Sequence, residues 1–187
     1  MKPKEASSMF ANFGNRMPGN EYIDLVQLLE DLNIVLDFSS CTNFSGVFNG
    51  GKISRIGVVN TTSCKSLATA IFYSHSIITI EKVILKEDGS QTFNNYTFYA
   101  PNLQNLTIEG VIGNSGANFQ QCKALSQNSI ISIINALSTT TSGLSITLSL
   151  AAVNKAFEIA EGDNNGSIST EWTALVATRS NWTINLV

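Results

Sequence analysis

Two stretches of the chain echo each other: "FYSHSIITIEKVI" at residues 72–84 and "FYAPNLQNLTIEGVI" at residues 98–112. Each begins with Phe-Tyr and ends with Thr-Ile-Glu-x-Val-Ile, and the second copy has two more residues between these halves. A period of about two dozen residues is typical of stacked-repeat proteins, in which each repeat adds one short strand to a shared sheet. The echo therefore predicts a parallel β-ladder, and not an antiparallel sandwich.

Short apolar runs separated by Gly, Asn and Ser predict where the strands of this ladder lie. The runs are "ISRIGVV" near residue 53, "TIEKVIL" near 79 and "LTIEGVI" near 106. Each run is too short for a helix and is bounded by turn residues. If the two Thr-Ile-Glu copies lie in adjacent repeats, Val83, Leu106 and Ile108 point into the core.

A helix is predicted at residues 20–32, in "NEYIDLVQLLEDLNI", with Asn20 as the N-cap. Its apolar residues recur at helical spacing and form one stripe. They are Tyr22, Leu25, Val26, Leu29 and Leu32.

The C-terminal third predicts a helix, a strand, two further helices and a final strand. The first helix, in "SQNSIISIINALS", takes Ser126 or Ser129 as its cap. Its buried face consists of Ile130, Ile133, Ile134 and Leu137. The later segments are "LSITLSL", "AAVNKAFEIA", "EWTALVATR" and "WTINLV". Because strands joined by a long helical crossover pair most easily in parallel, this part is expected to extend the same ladder.

A weak signature recurs around the strands: a small residue, two polar residues and then an apolar one. It occurs in "FSSCTNF" at 38, "TSCKSL" at 62, "FYAPNL" at 98 and "FQQCKAL" at 119. Such a pattern suits a tight inward turn, where only Cys, Ala or Ser fits. Cys41, Cys64 and Cys122 are therefore predicted to be buried structural thiols, without a disulfide framework or metal-ligand spacing.

These motifs resemble bacterial leucine-rich repeat proteins of the BspA-like surface-antigen type, whose repeats read roughly Phe-x-x-Cys-x-x-Leu before a short strand. "FQQCKAL" matches all three positions, "FSSCTNF" has Phe44 in place of Leu, and "FYAPNL" departs by a proline and one missing residue. With "KPKEASSMF" and "NWTINLV" included, nearly the whole chain is similar to a group of prophage-borne proteins of gut Firmicutes.

The resemblance implies a single α/β domain over residues 1–187, a short leucine-rich repeat solenoid. Residues 1–19 would be an irregular N-terminal segment, residues 20–125 a capping helix with the repeats, and residues 126–187 a strand-helix-strand closure. The resemblance also implies a setting at a virion or at the bacterial cell surface.

Composition excludes several classes of partner. The chain has 187 residues, 43% of them hydrophobic, which suffices for the core of one domain. Only 13% of residues are charged and the net charge is −3, so no basic footprint for nucleic acid is present. No apolar run approaches the roughly 20 residues of a membrane span, so no membrane insertion is expected for this fragment. The start "MKPKEASSMF" lacks the apolar core of a signal peptide and is typical of a piece of a longer protein.

Neither metal nor cofactor chemistry is expected. His75, the single histidine, has no adjacent partner for a triad or a zinc site and is predicted to be a turn residue at the Cys position of its repeat. The stretch "EGDNNGSISTEW" partly matches a calcium loop. However, Trp172 stands where the bidentate Glu is needed and Glu171 comes one residue early, so we expect no calcium site.

The repeated residues supply the candidate binding surface. Within each Phe-Tyr pair, Phe is expected in an internal aromatic stack and Tyr at the surface. If the echo aligns adjacent strands, Thr79 lies beside Thr107 and Glu81 beside Glu109, all facing outwards. The predicted surface consists of Thr79, Glu81, Thr107, Glu109, Tyr73 and Tyr99.

Two functions are compatible with this pattern. The first is a noncatalytic binding or structural module that displays a β-surface to a protein or a glycan. The alternative is a carbohydrate-active enzyme on a parallel β-scaffold, which would need clustered acids on adjacent repeats. Glu81 and Glu109 are the acids that the echo would place in register.

Overall fold

The computed structural model describes residues 5–15, 21–34, 37–67, 71–159 and 169–187. The strands are β1 (Ile23–Asp24), β2 (Ile53–Asn60), β3 (Ser66–Leu67), β4 (Phe72–Tyr73), β5 (Thr79–Ile84), β6 (Thr92–Phe93), β7 (Phe98–Tyr99), β8 (Asn105–Glu109), β9 (Asn118–Phe119), β10 (Leu144–Leu148) and β11 (Trp182–Leu186). The helices are α1 (Leu25–Asp31), α2 (Gln127–Asn135), α3 (Leu150–Ala156) and α4 (Thr170–Ala177).

Every pairing between these strands is parallel. The largest sheet has the order β1-β2-β5-β8, and a second sheet has the order β11-β10-β9. Two further sheets have only two short strands each, β3-β6 and β4-β7. The predicted α/β class and the parallel strands are therefore confirmed.

The main sheet forms because apolar residues of three successive segments meet in register. Ile56 of β2 pairs with Ile80 of β5, which pairs with Leu106 of β8. A second row joins Val59, Val83 and Ile108. All six are buried, so the predicted inward orientation of Val83, Leu106 and Ile108 is confirmed.

An aromatic stack runs through the interior beside this sheet. Its members are Phe10, Phe48, Phe72, Phe98 and Phe119. Successive ring centroids lie 5.6, 5.7, 5.3 and 4.5 Å apart, with interplanar angles of 2–23°. The expectation of an internal stack of Phe rings is confirmed, and Tyr73 and Tyr99 beside it are only half-buried.

The echo predicts the wrong register for its Thr-Ile-Glu half. Thr79 pairs with Asn105 and not with Thr107, and Ile84 pairs with Glu109. A shift between Ile80 and Val83 places the Glu81–Lys82 pair opposite one residue. The bulge is needed because the two inward apolar residues are three apart in β5 and two apart in β8.

Gly110 explains why the second copy cannot continue as a strand. It adopts a φ of +91°, and a Cβ there would lie 2.4 Å from the carbonyl oxygen of Leu85. The chain turns at this point. Ile112 then forms a separate parallel bridge with Leu137, so the two "VI" dipeptides of the echo occupy different places.

The recurring signature forms the same local turn at two different places in the fold, which we call the first and second corners. At the first corner the thiol of Cys64 donates to the carbonyl of Cys41. At the second, the thiol of Cys122 donates to the carbonyl of Phe98. His75 lies in a turn, as predicted, but not at the Cys position: the buried small residue of that turn is Ser74, and His75 is exposed.

The first helix is shorter than predicted. It begins at Leu25, and its N-cap is Asp24, whose carboxylate accepts the N–H groups of Val26 and Gln27. Tyr22 and Leu32 are 54% and 57% exposed and do not belong to its buried face. The helix starts late because Ile23 and Asp24 instead extend the main sheet as β1. The predicted cap Asn20 lies outside the described residues.

The C-terminal helices and strands form as predicted, but the strands belong to a different sheet from the one expected. Ser126 caps α2, and Ile130, Ile133, Ile134 and Leu137 are buried. Strands β10 and β11 are parallel, as expected. However, β10 pairs with β9 and not with the main sheet. The edge of β8 is covered by α2, because the hydroxyls of Ser129 and Ser132 accept the N–H groups of Leu106 and Ile108.

Candidate functional site

The residues predicted to form one binding surface lie in two places. Thr79, Glu81, Thr107 and Glu109 lie on β5 and β8 of the main sheet. Tyr73 and Tyr99 lie on the short pair β4-β7. We call the first place the polar face and define it by Asp24, Arg55, Glu81, Lys82 and Glu109.

On the polar face each acid is paired with a base of a neighbouring strand. Glu81 accepts hydrogen bonds from Arg55, with 3.1 Å between Oε1 and Nε. Nη1 of Arg55 also lies 3.2 Å from Oδ2 of Asp24. Glu109 pairs with Lys82 at 2.7 Å. Opposite charges therefore alternate across this face, which stabilises parallel strands where like charges would not.

The charge arrangement has two consequences. Hydrogen bonds from Arg55 to Glu81 and then Asp24 raise the pKa of the guanidinium, so Arg55 stays charged. The in-register pair of Glu81 and Glu109, on which the enzyme alternative depended, is not formed. Thr79 and Thr107, the other two predicted surface residues of this sheet, take no part in these ion pairs. The amide of Asn105 donates to the hydroxyl of Thr79, and Thr107 is exposed.

The two tyrosines form a stacked pair, and Tyr73 of this pair lines a recess. Their ring centroids are 4.4 Å apart, with an interplanar angle of 18°. The imidazole of His75 lies 6.0 Å from the ring of Tyr99. The recess has a volume of about 370 Å³. We call it the tyrosine recess; its lining includes Tyr22, Lys52, Tyr73, His75 and Asn102.

Two glycines form the floor of the tyrosine recess. The N–H of Gly50 donates to the carbonyl of Tyr73 at 2.8 Å. The carbonyl of Gly51 accepts hydrogen bonds from Ser74 and Ser76. A Cβ at Gly51 would lie 3.0 Å from the carbonyl oxygen of Phe13, so a side chain there would push against the N-terminal segment. Glycine at position 51 therefore allows the N-terminal segment to approach the backbone closely.

The turn after β4 is tied to the next segment at the rim of the recess. The amide of Asn102 donates to the carbonyl of His75 at 2.6 Å. Tyr22 and Lys52 also line the recess, so residues with hydrogen-bonding side chains lie around the ring of Tyr73. Such a site can bind a ring that has both apolar and hydroxylated surfaces.

Sequence reasoning missed four of these residues. His75 and Asn102 each follow a Phe-Tyr pair within a few positions, which is the one signal that could have placed them beside the tyrosines. Tyr22 was assigned to the buried stripe of the first helix. Lys52 follows two glycines without any motif, so only the packing of the segments brings it to the recess.

The cysteines are inert structural residues, as predicted. All three are free and buried. Burial raises the pKa of Cys64 and of Cys122 to about 12, and it also raises the pKa of Cys41. The thiolate form that a nucleophile needs is therefore scarce at neutral pH.

A metal site is not formed by the part of the chain that the structure describes, where no three His, Cys, Asp or Glu side chains come together. Most of the partial calcium loop, residues 161–168, lies outside the described residues. Glu171 and Trp172, at its end, belong to the first turn of α4.

In the described ranges, none of the helices has both the length and the apolar character that crossing a membrane requires. Comparison of the chain with protein-family models, with curated proteins and with solved structures finds no significant match.

Proposed function

We propose that the chain is a short leucine-rich repeat solenoid that acts as a noncatalytic binding module, with the tyrosine recess as its glycan-binding site. The solenoid is supported by the aromatic stack, because Phe48, Phe72, Phe98 and Phe119 recur along the chain at nearly equal intervals, one from each successive segment. Exclusively parallel pairing of the described strands supports it as well.

The observation that carries the binding proposal is the ring of Tyr73 in the lining of the recess, which stacks on the ring of Tyr99. A sugar ring has an apolar face of C–H groups and a rim of hydroxyls. The apolar face packs on an aromatic ring, while the hydroxyls exchange hydrogen bonds with surrounding polar groups. The amide of Asn102, the imidazole of His75 and the phenol of Tyr22 are such groups.

A glycan fits this recess better than a folded protein does. The volume of about 370 Å³ lies at the lower end of the range for small-molecule sites. Protein partners usually need about 800 Å² of surface on each side. On the polar face, the charges are already paired within the chain. Display at a virion or a bacterial surface is part of the same proposal and rests on the resemblance of the sequence motifs.

The test is an array of bacterial surface polysaccharide fragments and common oligosaccharides, followed by calorimetry with the glycans that bind. We expect Tyr73→Ala to weaken binding by about tenfold or more, and Tyr73→Phe, which keeps the ring, by less than about threefold. Tyr96→Ala is the matched control, because Tyr96 is 58% exposed and is not part of the recess. An array without any bound glycan, or equal affinity of the Tyr73→Ala variant, would rule the proposal out.

A further inference from the structure

Strand β11 presents a free main-chain edge. The N–H of Val187 donates to the carbonyl of Leu148, and the N–H of Leu150 donates to the carbonyl of Val187, so Val187 faces β10 with both groups. Main-chain groups alternate in direction along a strand. The N–H and C=O groups of Thr183 and Asn185 therefore also point towards β10, whereas those of Ile184 and Leu186 point away from it. The described residues place no strand beyond this edge.

The segment lacks the features that normally keep such an edge unpaired. Residues 182–187, "WTINLV", contain neither a charge nor a proline, and β11 has no bulge in its pairing with β10. Ile184 and Leu186 are only partly buried, and Val187 is 59% exposed. A recess of about 720 Å³, lined in part by Trp172 and Trp182, runs along the same strand.

In the described N-terminal segment, residues 5–15, most backbone donors are already used. Residues 6, 8, 10 and 12 donate their N–H groups to the carbonyls of residues 43, 45, 47 and 49. The N–H groups of residues 9, 11, 13 and 15 are satisfied within the segment by the carbonyls of residues 6, 8, 10 and 12. This segment therefore offers few free donors to another strand.

We propose that β11 pairs with β11 of a second copy of this chain, antiparallel across a two-fold axis that passes through Asn185. In this register Ile184 lies opposite Leu186 of the second copy, and the outward main-chain groups of both residues exchange hydrogen bonds. The side chains of Ile184 and Leu186 then form an apolar cross-strand pair.

The second copy is favoured over another occupant because the edge is complementary to itself. An uncharged strand does not repel its own copy, and a two-fold axis uses the same surface on both molecules. Because the described N-terminal segment offers few free donors, we expect two-fold pairing rather than head-to-tail growth. The assembly then stops at a dimer.

The axis position gives a charge-swap test. The exposed side chains of Asn185 from both copies would lie about 5 Å apart, as in a directly opposed pair. Light scattering after gel filtration should give twice the 20.2 kDa chain mass for the wild type and the chain mass for Asn185→Lys and for Asn185→Asp. An equal mixture of the two variants should regain the dimer mass. Asn95→Lys, at an exposed turn, is the matched control and should remain a dimer.

A second pair of variants tests the edge by its hydrogen bonds. Ile184→Pro removes an outward N–H and should dissociate the dimer without unfolding the chain, whereas Asn185→Pro removes an N–H that faces β10 and should lower Tm. A wild-type protein that is monomeric up to its solubility limit would overturn the proposal. So would a dimer that both Asn185→Lys and Ile184→Pro leave intact.

Discussion

The hydroxyl of Ser132 in α2 accepts the backbone N–H of Ile108 in β8 at 2.8 Å. A side chain of a helix thus takes the place that a further strand would occupy at the edge of the main sheet. The hydroxyl of Ser129 likewise accepts the backbone N–H of Leu106, two residues earlier in the strand. The main sheet is therefore closed on this side by two serines.

Removing one of these hydroxyls should weaken the edge. Ser132→Ala leaves the N–H of Ile108, a buried residue, without its partner, and we expect the free energy of unfolding to fall by about 1–2 kcal/mol. Urea unfolding and amide exchange at Ile108 measure the effect. Asn128→Ala, at an exposed position of the same helix, should leave both unchanged. Equal behaviour of the two variants would contradict the capping role.

The aromatic stack should be the most sensitive part of the core. Phe72 is fully buried and lies between Phe48 and Phe98, so Phe72→Ala opens a cavity and should cost about 3–5 kcal/mol of stability. Thermal and urea unfolding measure it. Tyr96→Ala, at an exposed ring, should change stability by less than about 0.5 kcal/mol. A loss of stability below about 1 kcal/mol for Phe72→Ala would mean that the aromatic stack is not continuous at this ring.

The ion pair of Lys82 with Glu109 predicts a small, salt-sensitive effect. Glu109→Gln should lower stability by about 0.2–1 kcal/mol at low ionic strength, since both partners are partly exposed. The loss should vanish in about 1 M salt, where the Debye length is about 3 Å. Glu87→Gln, an exposed acid at the turn after β5 for which the described residues provide no ion pair, is the charge-matched control. A gain in stability would indicate like-charge neighbours, as in the register predicted from the echo.

The buried thiol of Cys122 predicts how stability depends on pH. Burial raises its pKa from 9.0 to about 12, so folding favours the neutral thiol. Its contribution is complete below pH 9.0 and is lost as the pH rises towards 12. Between pH 8 and pH 10 the wild type should therefore lose about 1 kcal/mol more than Cys122→Ala, by urea unfolding at each pH. Parallel pH profiles for the two proteins would contradict this assignment.

The sequence predicted the parallel ladder because burial of apolar residues sets the spacing of the paired segments. Phe72 pairs with Phe98, and the paired positions Thr79 and Asn105 have the same spacing along the chain. The identical letters "TIE", at 79–81 and again at 107–109, are spaced more widely than this period and mislead. Register follows the side chains that point inwards, and a bulge absorbs the difference.

The candidate site was only partly predictable for a related reason. Tyr73 and Tyr99 follow the core phenylalanines and so could be placed at the surface from the repeat alone. Lys52 and Tyr22 reach the same recess from segments that share no motif with the tyrosines. Their positions depend on how the N-terminal segment packs over Gly51, which no local pattern encodes.

The short distance along the chain between paired strands has a consequence for how the chain folds. Ile56 of β2 pairs with Ile80 of β5, and even the wider crossover that brings Leu144 to Trp182 spans less than a quarter of the chain. Because the entropy of closing a loop rises only with the logarithm of its length, the longer closure costs only about 0.4 kcal/mol more. No pairing between the described strands brings together distant ends of the chain. We therefore expect folding to spread from one neighbouring segment to the next, at the speed of a protein of low contact order despite its β-structure.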